Sequence, residues 1–163
     1  MRSHTARTLH AYLSGGMEYA EGEGVGWRTE IHQWIEEKLR HHVFNPNQKS
    51  EEFLTTHYPG VDVRQLKWKD IGQFRDIVQR IVELDCREIA DRTDYVVCYW
   101  DESAQRGAGT KGELTIAKYF RKPVYLVTSM SITELPGWVI GCTTKIFESF
   151  STLKTHLLEH YGP

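Results

Sequence analysis

The sequence predicts an α/β fold in which about five parallel strands form one sheet with helices on both faces. Three observations predict it. Short continuous apolar runs, of which Tyr95–Trp100 and Val124–Val127 are the clearest, read as strands buried on both sides. Between the runs lie segments whose apolar residues recur at spacings of three and four, as in amphipathic helices. Strand and helix alternate along the chain, and its 163 residues suffice for one ordinary core but not comfortably for two. Residues 1–163 are therefore expected to form a single Rossmann-like or flavodoxin-like domain.

The elements follow in order. Leu9–Leu13 is a short apolar first strand running into Ser14-Gly15-Gly16, which suits a tight turn. After an acidic, glycine-rich stretch, Trp27, Ile31, Trp34, Ile35 and Leu39 mark a helix. Val43-Phe44-Asn45-Pro46 reads as a brief strand stopped by proline. Residues 47–69 are polar and weakly periodic, an insertion or lid over the site. Ile71, Phe74, Val78 and Ile81 then form one helical stripe that reaches Asp85, a carboxylate where another apolar residue is expected. The strand Tyr95–Trp100 leads into a polar loop, Asp101–Arg106. A helix runs from near Thr110 to about Phe120 and ends at Lys122-Pro123, before the strand Val124–Val127. Residues 129–143 are expected to be a loop around Pro136-Gly137-Trp138, followed by a strand near Ile146 and a closing helix, Phe150–His160.

Composition narrows the function. With 20 basic against 22 acidic residues the net charge is −2, so no basic field exists to hold a nucleic acid polymer. The N-terminus MRSHTARTLHAYL has no apolar signal core, and no run approaches the length of a spanning helix; a cytoplasmic location without a membrane partner is expected. Cys86, Cys98 and Cys142 are odd in number and lack CxxC spacing, as buried or half-buried thiols would. Adjacent side chains diverge on a helix, so His41-His42 reads as a solvated helix end rather than a metal site. Neither metal nor cofactor is expected.

Ligands of open parallel sheets bind beyond the carboxyl ends of the strands. That directs attention to the loops 14–26, 101–112 and 129–141. Gly107-Ala108-Gly109-Thr110-Lys111-Gly112-Glu113 joins small residues to the free N–H groups of a helix start, which suits an anionic or sugar oxygen. Two readings of Glu113 are open: a site carboxylate, or a capping-box partner of Thr110. Asp85 is either a site group or a helix-edge partner of Arg87 or Arg92. Asp101, at the end of the strongest strand, either faces a ligand or forms a turn.

Taken together, Tyr12-Leu13-Ser14-Gly15-Gly16-Met17, Gly26-Trp27-Arg28, Asn45-Pro46, Asp85, Thr93-Asp94-Tyr95-Val96-Val97, GAGTKGELTIA and Lys122-Pro123-Val124 resemble the nucleoside 2-deoxyribosyltransferase family, which includes nucleotide N-hydrolases. The resemblance spans most of the chain except 47–69. It implies that Glu113 attacks C1′ to form a glycosyl-enzyme intermediate, that Tyr12 orients Glu113, and that Asp85 assists departure of the base. Ser14, Gly15, Gly16, Met17, Trp27, Arg28, Asp101, Gly107, Ala108, Gly109, Thr110 and Trp138 are then expected to line the substrate site, with Arg28 and Arg106 as charge partners. Six positions before that Glu, many of the family's transferases carry an acidic residue and its nucleotide hydrolases often a serine; this chain has Gly107. The implied ligand is a small nucleoside or nucleotide, to be cleaved or transferred. The hydrolase and a non-catalytic nucleotide sensor stand as alternatives. The resemblance also implies a homodimer or larger homo-oligomer in which Pro136-Gly137-Trp138 completes a neighbour's site.

Overall fold

The structure is a computed structural model that describes residues 7–162. Five strands, β1 (His10–Gly15), β2 (His42–Phe44), β3 (Tyr95–Tyr99), β4 (Val124–Val127) and β5 (Lys145–Phe147), form one sheet in the order β2-β1-β3-β4-β5. Every pairing is parallel. The chain goes outward from β1 to β2, then returns across β1 to β3, which is the flavodoxin-like order with its switch point between β1 and β3. The predicted α/β class and parallel sheet are thus observed.

Eight helices surround the sheet among the described residues: α1 (Val25–Leu39), α2 (Pro46–His57), α3 (Val63–Lys69), α4 (Ile71–Arg87), α5 (Glu102–Arg106), α6 (Gly109–Tyr119), α7 (Gly137–Cys142) and α8 (Phe150–Tyr161). Strand side chains alternate between faces, so each strand feeds two cores. Ala11, Leu13, Tyr95 and Val97 pack with Ile31 and Ile35 of α1 and Leu153 and Leu157 of α8. Tyr12, Val96, Cys98 and Leu126 point the other way, onto Leu114 and Ala117 of α6, Val139 of α7 and Ile89.

Several boundaries differ from expectation. β1 continues through Ser14 and Gly15, both paired with β3, so the turn begins later than predicted. Residues 47–69 carry two helices, α2 and α3, each started by a capping side chain: Asn45 Oδ1 accepts from Asn47 N at 3.1 Å and Asp62 Oδ1 from Gln65 N at 3.3 Å. Their periodicity is weak because only Pro46 of α2, and nothing in α3, is buried. On α4 the buried residue is Ile77, while Ile71, expected on the core stripe, is 65% exposed. The loop predicted over 129–143 contains α7, and Asp101–Arg106 contains α5. His41 is no solvated helix end: it is buried, its Nδ1 2.9 Å from the Tyr95 hydroxyl.

Candidate active site

Glu113 lies one turn into α6, and its carboxyl turns back onto β1. Alternation along β1 puts Tyr12 and Ser14 on the face that α6 covers. The Tyr12 hydroxyl donates to Glu113 Oε1 at 2.9 Å, and the Ser14 hydroxyl donates to Glu113 Oε2. Both carboxyl oxygens are therefore held from the sheet. Burial, followed by the Glu113 charge, raises the Tyr12 pKa well above its ordinary value, so the phenol keeps its proton and stays a donor. Of the two readings of Glu113, the capping box is absent. Ala108 occupies the cap position without a side-chain bond, and Thr110 is buried inside the first turn.

Asp85, near the end of α4, has a buried Oδ1 with no hydrogen-bond partner. Burial and then the charge of Glu113 push its pKa up to about 8, against the lowering effect of Arg28. Burial also raises Glu113, but Ser14, Tyr12 and Arg28 oppose it by favouring the charged form. The two carboxyls thus differ in environment, one with two donors and one with none on its buried oxygen. At neutral pH a pKa of about 8 keeps the proton on Asp85, while the donors around Glu113 favour its charged form against the burial that raises it.

Arg28 does a different job from the one expected. It is 1% exposed, and its guanidinium donates to the carbonyls of Leu13 (3.4 Å), Gly15 (2.8 Å), Gly16 (3.4 Å), Glu23 (3.3 Å) and Gly24 (3.1 Å). It ties down the loop between β1 and α1 rather than reaching for a phosphate. Trp27 is also turned away, stacking on Phe150 at 5.8 Å on the sheet face opposite Glu113. The glycines of this loop are there for close approach. A Cβ at Gly15 would lie 2.8 Å from the Trp27 ring, and one at Gly16 2.0 Å from Ser103 Oγ. Met17 follows, half-buried.

Asp101 is the N-cap of α5, accepting from Ala104 N at 3.0 Å and from Ser103 Oγ at 2.5 Å, so its turn-forming role is the one observed. Gly107 closes α5, its N–H donating to Ser103 O at 3.0 Å, and Ala108 and Gly109 lead into α6. Arg106 stacks over the Tyr19 ring at 4.2 Å and joins the two site loops. Trp138 begins α7, 69% exposed, with Nε1 donating to Thr115 Oγ1 at 2.8 Å. Phe44, absent from the expected set, stacks on Tyr12 at 5.2 Å and walls a groove of about 510 Å³ shared with Phe53 of α2 and Leu84 of α4. Its signal was its place in β2, opposite Tyr12 in register. Among the described residues no cluster of His, Cys, Asp and Glu is arranged for a metal, and no helix is long and apolar enough to cross a membrane.

No family model matches the chain, and no curated protein matches it. Among solved structures it is similar to the 2-deoxyribosyltransferase from the psychrotolerant bacterium Bacillus psychrosaccharolyticus, with 16% identity, 90% of each chain covered and a TM-score of 0.58. At that identity the likeness establishes the fold.

Proposed function

We propose that this chain cleaves or transfers the N-glycosidic bond of a nucleoside or nucleotide through a covalent intermediate on Glu113. The carrying observation is one carboxylate held at both oxygens by Tyr12 and Ser14, beside a second carboxyl, Asp85, that keeps its proton at neutral pH. That pairing of a fixed nucleophile with a protonated acid is what a retaining glycosyl transfer needs. The likeness in fold to a 2-deoxyribosyltransferase supports the same reading.

In the first step a Glu113 oxygen bonds to C1′ while the bond from C1′ to the base nitrogen breaks. The electron pair of that bond leaves with the base, which takes the Asp85 proton. In the second step water or an acceptor base gives a proton back to Asp85 and attacks C1′, releasing Glu113. Tyr12 and Ser14 hold the carboxylate in place through both steps. A substrate phosphate, where present, would meet the uncapped start of α6 at Ala108–Thr110 rather than the committed Arg28.

The test is a chromatographic assay of the wild type and Glu113→Ala with mixed deoxynucleosides and their monophosphates, with and without an acceptor base. Base released without an acceptor identifies a hydrolase, and a new nucleoside formed only with one identifies a transferase. No release by either protein, with nucleotide binding indifferent to the substitution, overturns the proposal in favour of a sensor.

A further inference from the structure

The face of β1 and β2 that carries Tyr12 continues, toward the amino ends of both strands, into a groove that the chemistry at Glu113 does not use. Alternation puts His10, His42 and Phe44 on that face with Tyr12. The register His10↔His42 sets the two imidazoles side by side, their ring centres 4.9 Å apart. Helix α2 stands across a groove of about 510 Å³ from them. Its Lys49, Glu52, Phe53, Thr56 and His57 fall on one strip of helix surface, with the rings of Phe53 and His57 4.9 Å apart. That strip joins no core, since Pro46 is the buried residue of α2. Two walls of rings therefore line one open space, which a planar ring can fill by stacking.

The polar groups say which ring. Glu88, one residue past α4, lines the groove with its side chain 13% exposed. Its one ion partner among the described residues is the exposed Arg92, 3.9 Å away and beyond hydrogen-bonding distance. Two carboxylate oxygens side by side match two adjacent N–H donors. The fixed charges of the groove cancel, because Lys49 stands against Glu52 at 2.8 Å and Arg92 against Glu88, so no surplus charge selects an ion.

We propose that this groove is a second, non-catalytic binding site for a neutral planar heterocycle of the guanine type, stacked between the rings of the sheet and those of α2, with its adjacent ring N–H and amino groups donating to Glu88. An adenine-type ring fits less well, because the atom beside its amino group is an acceptor that would face a carboxylate lone pair. The site does not rest on the proposed catalysis, since neither Glu113 nor Asp85 lines it. It adjoins the catalytic group all the same: Phe44 also stacks on Tyr12 at 5.2 Å, so an occupant lies one ring away from the donor to Glu113.

Titration calorimetry of the full chain with 9-ethylguanine, whose N9 is blocked against glycosylation, tests this. The wild type is expected to bind it and to bind 9-ethyladenine at least tenfold more weakly. Glu88→Gln and Phe53→Ala should each weaken 9-ethylguanine binding at least tenfold, with circular dichroism unchanged. Should one variant fail to fold, the other carries the test. No binding by the wild type up to roughly 1 mM, equal affinity for the two rings, or binding indifferent to either substitution in a folded protein overturns the proposal. Indifference to both would put the ligand in the Glu113 site instead.

Discussion

Tyr12 and Glu113 stand 101 positions apart and meet at 2.9 Å, the phenol donating to the carboxylate across the junction of β1 and α6. With Ser14 on the second oxygen, the contact turns a side chain that local pattern would assign to helix capping into one aimed by the sheet.

Glu113→Gln keeps the size of the side chain and removes its nucleophilicity. We expect turnover to fall by roughly a thousandfold or more while the fold is retained. Single-turnover release of base measures it, with intact-mass detection of a glycosyl adduct on the wild type as the companion readout. Wild-type rates in the Gln protein would remove Glu113 from the chemistry.

Tyr12→Phe deletes one of the two donors to Glu113. Losing a donor to the charged form raises the Glu113 pKa, so the acid limb of the rate profile should move to higher pH. A decrease of roughly tenfold to a hundredfold in kcat, with KM little changed, is expected. Ser14→Ala should act alike, and the double substitution should cost less than the product of the two, because both act through one carboxylate.

Asp85→Asn tests the acid through pH. The wild type needs a protonated Asp85, so its rate should fall as pH rises past about 8, and the Asn protein should lose that limb along with most of its activity.

The same group predicts a stability effect of known sign. A folded-state pKa raised from 3.8 to about 8 gives stability that is full below 3.8 and is lost as pH rises toward 8, at up to roughly 1.4 kcal/mol per unit. Thermal melts of wild type and Asp85→Asn should therefore diverge as pH rises from about 4 to about 8, in favour of Asn. Parallel curves would mean that Asp85 ionises freely in the folded protein.

Arg28→Leu leaves the carbonyls of Leu13, Gly15, Gly16, Glu23 and Gly24 without their shared donor. We expect a loss of about 3 kcal/mol or more in urea unfolding, larger than that for Arg106→Leu on the exposed side of the loop. Equal losses would show that the clamp contributes nothing beyond an ordinary surface arginine.

Much of the frame was legible because its signals are intrinsic. Strands buried on both sides, such as Tyr95–Tyr99 and Val124–Val127, must be continuously apolar, and α6 stands between a glycine-rich start and Lys122-Pro123. The helices in 47–69 were hidden because they bury almost nothing, leaving only their caps as a signal. On α4 two apolar strips compete, and the pattern alone selected Val78 where the core takes Ile77. Arg28 misled for a related reason, since its partners are main-chain carbonyls that no side-chain pattern announces. The grip of Ser14 on Glu113 was within reach, because a residue two positions from Tyr12 on a strand shares its face.

Strand order also sets a timetable for biosynthesis. β1 is paired on one side with β2, made about 30 residues later, and on the other with β3, in the register Ala11↔Tyr95. At roughly 5–20 residues per second, several seconds separate translation of these two partners. Glu113 emerges later still. During that interval the fully buried Tyr12 and Leu13 of the finished protein have half a sheet to lie on. A ribosome stalled before β3 would therefore hold a sticky, inactive fragment, and the carboxylate grip cannot form until α6 has followed β3 out.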